Sequence, residues 1–125
     1  MRVIICGGRD FNDKAMLRKA LDRLHLNHHF TLVIDGGYGN ADNFGHEWAR
    51  DNGIPTERYF ADWDKQGLAA GPIRNQRMLD KGRPHGVVAF PTEQSRGTWD
   101  MVKRAKLAGL KIFMEVPYHA RSGRV

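Results

Sequence analysis

The sequence predicts a doubly wound α/β domain, with a parallel sheet of about five strands in the order 3-2-1-4-5 and helices on both faces. Three observations predict it. Apolar runs of strand type alternate with helix-like stretches along the whole chain. The links between them are too short for anything but right-handed crossovers. Glycine-centred turns stand where strand gives way to helix, at Gly7-Gly8-Arg9-Asp10, Gly36-Gly37-Tyr38-Gly39 and Ser95-Arg96-Gly97-Thr98.

The first strand covers Arg2–Cys6. The helix after it runs from near Asp13 to Leu26, with Leu17, Leu21 and Leu24 on one stripe and Asn12 or Asp13 as its cap. Thr31–Asp35 is the second strand, followed by a helix from Asp42 to near Asn52. Asp42 is read as the cap of that helix, and Gly53 stops it ahead of Pro55. The third strand, Thr56–Phe60, leads into the longest irregular stretch, Ala61 to Gly71. The next helix begins at Pro72, a favoured first helical position, and ends near Lys81. Gly86–Phe90 is a continuous apolar run, as expected of a strand covered on both faces. A helix from Gly97 or Thr98 to Ala108 stops at Gly109, and Lys111–Val116 is the fifth strand. One domain over 1–116 is expected, with 117–125 as a basic tail.

A chain of 125 residues can bury one core but not two. Its 41% hydrophobic and 27% charged residues fit an ordinary soluble globule. No apolar run approaches the roughly 18 residues that span a bilayer, and the first residues lack signal-peptide regions. The single cysteine, Cys6, excludes an internal disulfide and reads as a small buried strand-end residue. A cytoplasmic protein without membrane association is expected. The formal net charge of +6 favours an anionic partner, either a phosphorylated small molecule or nucleic acid.

Strand, glycine turn and helix together point unpaired helical N–H groups at an anion, usually a phosphate. Three such turns in register predict one crevice at the carboxyl edge of the sheet, at the switch point between strands one and four. Gly7 and Gly8 let the backbone approach a ligand, and Arg9 offers a two-pronged contact to phosphate or carboxylate. Asp10 has two readings, as acceptor for a ribose hydroxyl or as partner of Arg9. Gly36, Gly37 and Gly39 are costly unless the chain needs positive φ or close approach. Tyr38 either stacks on a base or covers the sheet end. Trp63 lies in the long loop, a candidate lid, and either stacks on a nucleobase or plugs the core. Arg74 and Asn75 fall in the first turn of a helix and suit a phosphate or sugar. A cation there opposes the helix dipole, and a bound anion would remove the conflict.

No metal site or cofactor is expected. His25, His28 and His29 stand where the first helix ends, and cations are stabilising there. His46-Glu47 begins no His-Glu-x-x-His motif, because Arg50 fills the second histidine position. Ser95 lacks the Gly-x-Ser-x-Gly frame, and no Ser/His/Asp arrangement is assignable.

Val3 to Phe11, Asp35-Gly36-Gly37 with Gly39-Asn40-Ala41-Asp42, Asp62-Trp63, Gly71-Pro72-Ile73-Arg74-Asn75 with Met78, and Val88-Ala89-Phe90-Pro91 with Arg96-Gly97-Thr98 together resemble the YspA-type, YpsA-related branch of the SLOG superfamily. The resemblance runs from Met1 to Val116 with every motif in order. It implies a Rossmann-like fold, a nucleotide or nucleotide-derived ligand, and a homo-oligomer, often a dimer. It also implies a bacterial cytoplasmic setting, or the host cytoplasm for a phage protein. The wider superfamily includes the LONELY GUY phosphoribohydrolases, which carry Pro-Gly-Gly-x-Gly-Thr-x-x-Glu, and the DNA-processing protein DprA. Pro91, Gly97 and Thr98 match that signature, whereas Thr92 and Glu93 replace the paired glycines and Met101 fills the glutamate position. Asp100 is one residue away, about 100° around a helix. Phosphate binding therefore carries over to Gly97 and Thr98. Asp100 or Glu93 is left as a substitute catalytic carboxylate.

Three functions follow. The leading expectation is a module that senses or sequesters a nucleotide or ADP-ribose-like ligand, with Arg9, Arg74 and Arg96 neutralising its phosphates. The alternative is hydrolysis of the N-glycosidic bond of nucleoside monophosphates. DNA binding of the DprA type ranks third, because the chain has no helix-turn-helix or zinc motif.

Overall fold

Five strands pair in parallel in the order β3-β2-β1-β4-β5, with β1 at Arg2–Gly7, β2 at Leu32–Asp35, β3 at Thr56–Arg58, β4 at Gly86–Phe90 and β5 at Lys111–Met114. The computed structural model describes residues 1–116, so the basic tail expected at 117–125 lies outside the described residues. The helices between the strands are α1 (Lys14–His28), α2 (Asn40–Asp51), α3 (Trp63–Gln66), α4 (Ala70–Gly82) and α5 (Arg96–Leu107). This is the Rossmann-like arrangement that the alternation predicts. Among the described residues no helix is long and apolar enough to cross a membrane.

Side chains of a strand alternate between sheet faces, so each central strand feeds two cores. Val3 and Ile5 of β1 join Val33, Val88 and Phe90 beneath α1 and α2, where Leu17, Leu21 and Trp48 fill the layer. Ile4 and Cys6 join Ile34, Val87 and Ala89 on the other face, against Met78 of α4 and Met101 and Ala105 of α5. Trp48 is fully buried, and its indole N–H donates to Asp22 at 2.8 Å, so its one polar atom stays paired.

The element ends differ from the sequence reading where side chains or turns intervene. Asp42 is not the cap of α2. Gly39 takes that place with φ 93°, a conformation glycine adopts freely, and Asp42 lies inside the first turn. From there its Oδ2 accepts the Tyr38 N–H at 3.0 Å. The stretch Ala61 to Gly71 is largely helical. Asp62 caps α3 by accepting the Lys65 N–H, and a 3₁₀ turn at Gly67–Ala69 runs into α4, which begins at Ala70 rather than Pro72. β3 and β5 are shorter than expected, ending at Arg58 and Met114. Asp13 caps α1, accepting the Met16 N–H at 3.0 Å. At the far end His29 adopts a left-handed conformation, and His25 Nδ1 accepts the Phe30 N–H at 2.9 Å. Two of the clustered histidines therefore serve the end of α1.

Candidate ligand-binding site

Adjacent β1 and β4 send their crossovers to opposite faces, which opens a crevice at the carboxyl edge of the sheet. A pocket of about 390 Å³ occupies it. Gly7 and Arg9 reach it from β1, Gly36, Tyr38 and Asp42 from β2 and α2, and Trp63 from α3. Arg74 and Asn75 come from α4, and Arg96, Gly97, Thr98 and Asp100 from α5. The core residues Cys6 and Met78 also line it; burial pushes the Cys6 thiol up, so it remains protonated.

Four predicted residues do not line the pocket. Gly8 is a glycine because the Thr92 side chain occupies the place its β-carbon would take. Asp10 accepts the Thr92 hydroxyl at 2.7 Å rather than pairing with Arg9. Gly37 has φ 62°, packs under the Phe60 ring and donates its N–H to Asp35 Oδ1 at 2.7 Å. Glu93 is exposed and lies outside the pocket.

Arg74 is the centre of the arrangement. It is only 7% exposed, yet its guanidinium is paired on one side alone. Nη1 donates to the Gly36 carbonyl at 2.8 Å and Nε to Asn75 Oδ1 at 3.0 Å. Among the described residues Nη2 has no acceptor within hydrogen-bond distance. Burial pulls the pKa of Arg74 down, and the neighbouring Asp42 opposes that effect. Asn75 holds the next wall, donating from Nδ2 to the Gly97 carbonyl at 3.1 Å and to Asp100 Oδ2 at 2.9 Å.

Two buried carboxyls flank this cation. Asp42 is 6% exposed, and burial pushes its pKa up to about 7 against the Tyr38 N–H, with Asp35 adding to the rise and Arg74 opposing it. Asp35, at the end of β2, accepts from Gly37 N–H and from Arg58 Nε, each at 2.7 Å. Its Oδ2 stands 3.6 Å from His46 Nδ1, and both atoms are buried without a hydrogen-bond partner. Burial raises the pKa of Asp35 despite Arg58. The sequence reading assigned no role to Asp35, His46 or Arg58. The one available signal was a carboxylate closing an apolar strand just before a double glycine.

At the mouth, Tyr38 and Trp63 lie 5.3 Å apart between ring centroids, each 40% exposed. Trp63 is thus a rim residue rather than a core plug. Arg9 stands over the Tyr38 ring and donates to its hydroxyl. Opposite them, α5 opens on Ser95, Arg96, Gly97 and Thr98. No side chain caps this helix start, and nothing lies within 4 Å of where a β-carbon on Gly97 would stand. Asp100 Oδ2 is shared by Asn75 and Arg104 Nε, the latter at 2.8 Å. Met101, at the hydrolase glutamate position, is fully buried in the core between sheet and α5.

Residues 1–66 match the family described as YAcAr, the YspA, cpYpsA-related SLOG family. The chain belongs to this family. The Gene 61 protein of Mycobacterium phage D29 is 34% identical to this SLOG protein over 117 residues, covering 89% of this chain and 93% of the phage protein. Among solved structures, the DNA processing protein A (DprA) of Streptococcus pneumoniae superposes with a TM-score of 0.72 over 90% of the chain, at 17% identity. That likeness is one of fold. The SLOG chain spans 49% of the DprA chain.

Proposed function

We propose that this SLOG protein binds a nucleotide or nucleotide-derived, ADP-ribose-like phosphorylated ligand in the crevice, as a sensor or sequestering module. The observation that carries the reading is Arg74: a nearly buried guanidinium whose Nη2 faces a pocket with no protein acceptor. Nη2 is not among the atoms buried without a partner, so a ligand can reach it, and a phosphate oxygen is a strong charge-assisted acceptor for it. The uncapped start of α5 adds N–H groups of the same polarity. Tyr38 and Trp63 at the mouth suit the flat face of a base, and Arg9 and Arg96 balance further phosphate charge. The pocket volume falls within the range of small-molecule sites.

Titration calorimetry with nucleoside mono- and diphosphates, ADP-ribose and cyclic dinucleotides tests the reading. Binding that is lost on Arg74→Met is expected; no binding tighter than about millimolar to any of them overturns it.

The second reading, cleavage of an N-glycosidic bond, is favoured by one observation: Asp100 lines the pocket. Its Oδ2 already accepts two donors, and Met101 leaves no carboxylate at the glutamate position. Free base released from nucleoside monophosphates by the wild type and lost in Asp100→Asn would establish this reading. DNA binding, suggested by the likeness in fold to the DNA processing protein DprA, would appear as a DNA affinity falling steeply with salt.

A further inference from the structure

The start of α5 is open to a ligand because its own cap residue is held elsewhere. Serine at a helix N-cap ordinarily turns its hydroxyl onto the N–H of the second or third helical residue, here Gly97 or Thr98. Ser95 makes no such bond. Its Oγ accepts the Thr92 backbone N–H at 2.5 Å and meets the Thr92 hydroxyl at 3.1 Å. Thr92 Oγ1 in turn donates to Asp10 Oδ1 at 2.7 Å.

Counting protons orders this chain. An ionised carboxylate only accepts, so the single proton of Thr92 goes to Asp10. The contact between the hydroxyls must then run from Ser95 to Thr92. The proton of Ser95 is thereby used, and one of its lone pairs is occupied by the Thr92 N–H. The two bonds to Thr92 fix where the hydroxyl sits, away from its own helix. Gly8 completes the device, since the Thr92 side chain fills the volume of the β-carbon that Gly8 lacks.

We infer that Thr92, its hydroxyl oriented by Asp10, is a positioning residue for the ligand site: it holds Ser95 off α5 and so keeps the Gly97 and Thr98 N–H groups free for an anion. The inference rests on the proposed anion pocket, to which the unpaired Nη2 of the nearly buried Arg74 points independently. It also accounts for Thr92 where the resembling hydrolase signature has glycine. A glycine there offers no hydroxyl, and this chain has a serine that needs one.

Thr92→Val keeps the side-chain shape and removes the hydroxyl. Ser95 then keeps the Thr92 backbone N–H but loses its hydroxyl partner, which releases it on that side toward Gly97 or Thr98. Amide hydrogen exchange read by NMR on the ligand-free protein should show slowing at one of these N–H groups, about fivefold, the scale of a serine cap. Thr92→Val with Ser95→Ala should return exchange to the wild-type rate. Affinity for inorganic phosphate should fall in Thr92→Val and recover in the double variant.

Unchanged exchange in Thr92→Val overturns the inference, as does slowing that Ser95→Ala fails to reverse. Wild-type protein that binds neither inorganic phosphate nor any nucleotide would overturn the function proposed above. The exchange rates would still decide the role of Thr92.

Discussion

The guanidinium of Arg74 lies where a β-carbon of Gly36 would stand, and its Nη1 donates to the Gly36 carbonyl at 2.8 Å. A residue from α4 and a turn after β2 thereby fix one another. Gly36→Ala must unseat the guanidinium and strip a buried charged donor of its acceptor. Stability should fall by about 1–3 kcal/mol, measured by urea unfolding. Phosphate affinity should fall with it. An alanine variant as stable as the wild type would mean that Arg74 relocates freely.

Asp42 predicts a pH dependence whose sign is fixed. Its folded pKa, about 7, lies above the ordinary value of 3.8 that the unfolded chain restores. Between those values the native state holds the proton that the unfolded state has released. Stability must therefore fall as pH rises from about 4 to about 7 and level off above that. Asp35 shifts in the same direction, so part of the slope belongs to it. Asp42→Asn should flatten the profile and gain up to about 4 kcal/mol over the wild type at pH 7, with the two curves converging near pH 4. Unfolding profiles that stay parallel across this range would contradict the buried carboxyl.

If Trp63 at the mouth stacks on a base as proposed, its loss should separate base from phosphate recognition. Trp63→Ala should weaken a nucleotide by about 1–3 kcal/mol, the scale of stacking on one base, and leave inorganic phosphate affinity unchanged. Calorimetry with the two probes side by side reads the difference. Equal weakening of both would place Trp63 in shaping the pocket instead.

Met101→Glu restores the residue of the hydrolase signature at a fully buried position. The new carboxyl would sit among Ile4, Met78 and Ala89 with no designated partner. A loss of about 3 kcal/mol or more in stability is expected, without any base released from nucleoside monophosphates. Chromatography of the reaction mixture checks the second half; released base would show that this helix still turns position 101 toward a ligand.

The sheet was legible because its signals are local. Gly86–Phe90 is apolar throughout and is buried throughout, and the glycine turns after β1 and β2 fall where the strands end. Arg74 was legible for another local reason, the conflict of a cation with the start of its helix. Asp42 was misread because aspartate leads the cap position by type, whereas Gly39, with φ 93°, took it by conformation. Asp62, the cap of α3, was passed over within a stretch read as loop. Asp35, His46 and Arg58 meet only after α2 and β3 have packed, and no spacing in the chain announces that meeting. The link from Asp10 to Thr92 spans eighty-two positions and is equally silent in one dimension.

The walls of the crevice come from both ends of the chain, Gly7 and Arg9 near its beginning and Thr98 and Asp100 near its end. During synthesis the proposed site is therefore incomplete until β4 and α5 have emerged and docked. Residues 1–66 contain Gly36 but neither Arg74 nor Asn75, so a product of that length would lack the α4 and α5 walls of the proposed site. A ligand bound as proposed would therefore shield molecules in which β1 and α5 have come together from proteolysis, and leave those in which they have not exposed.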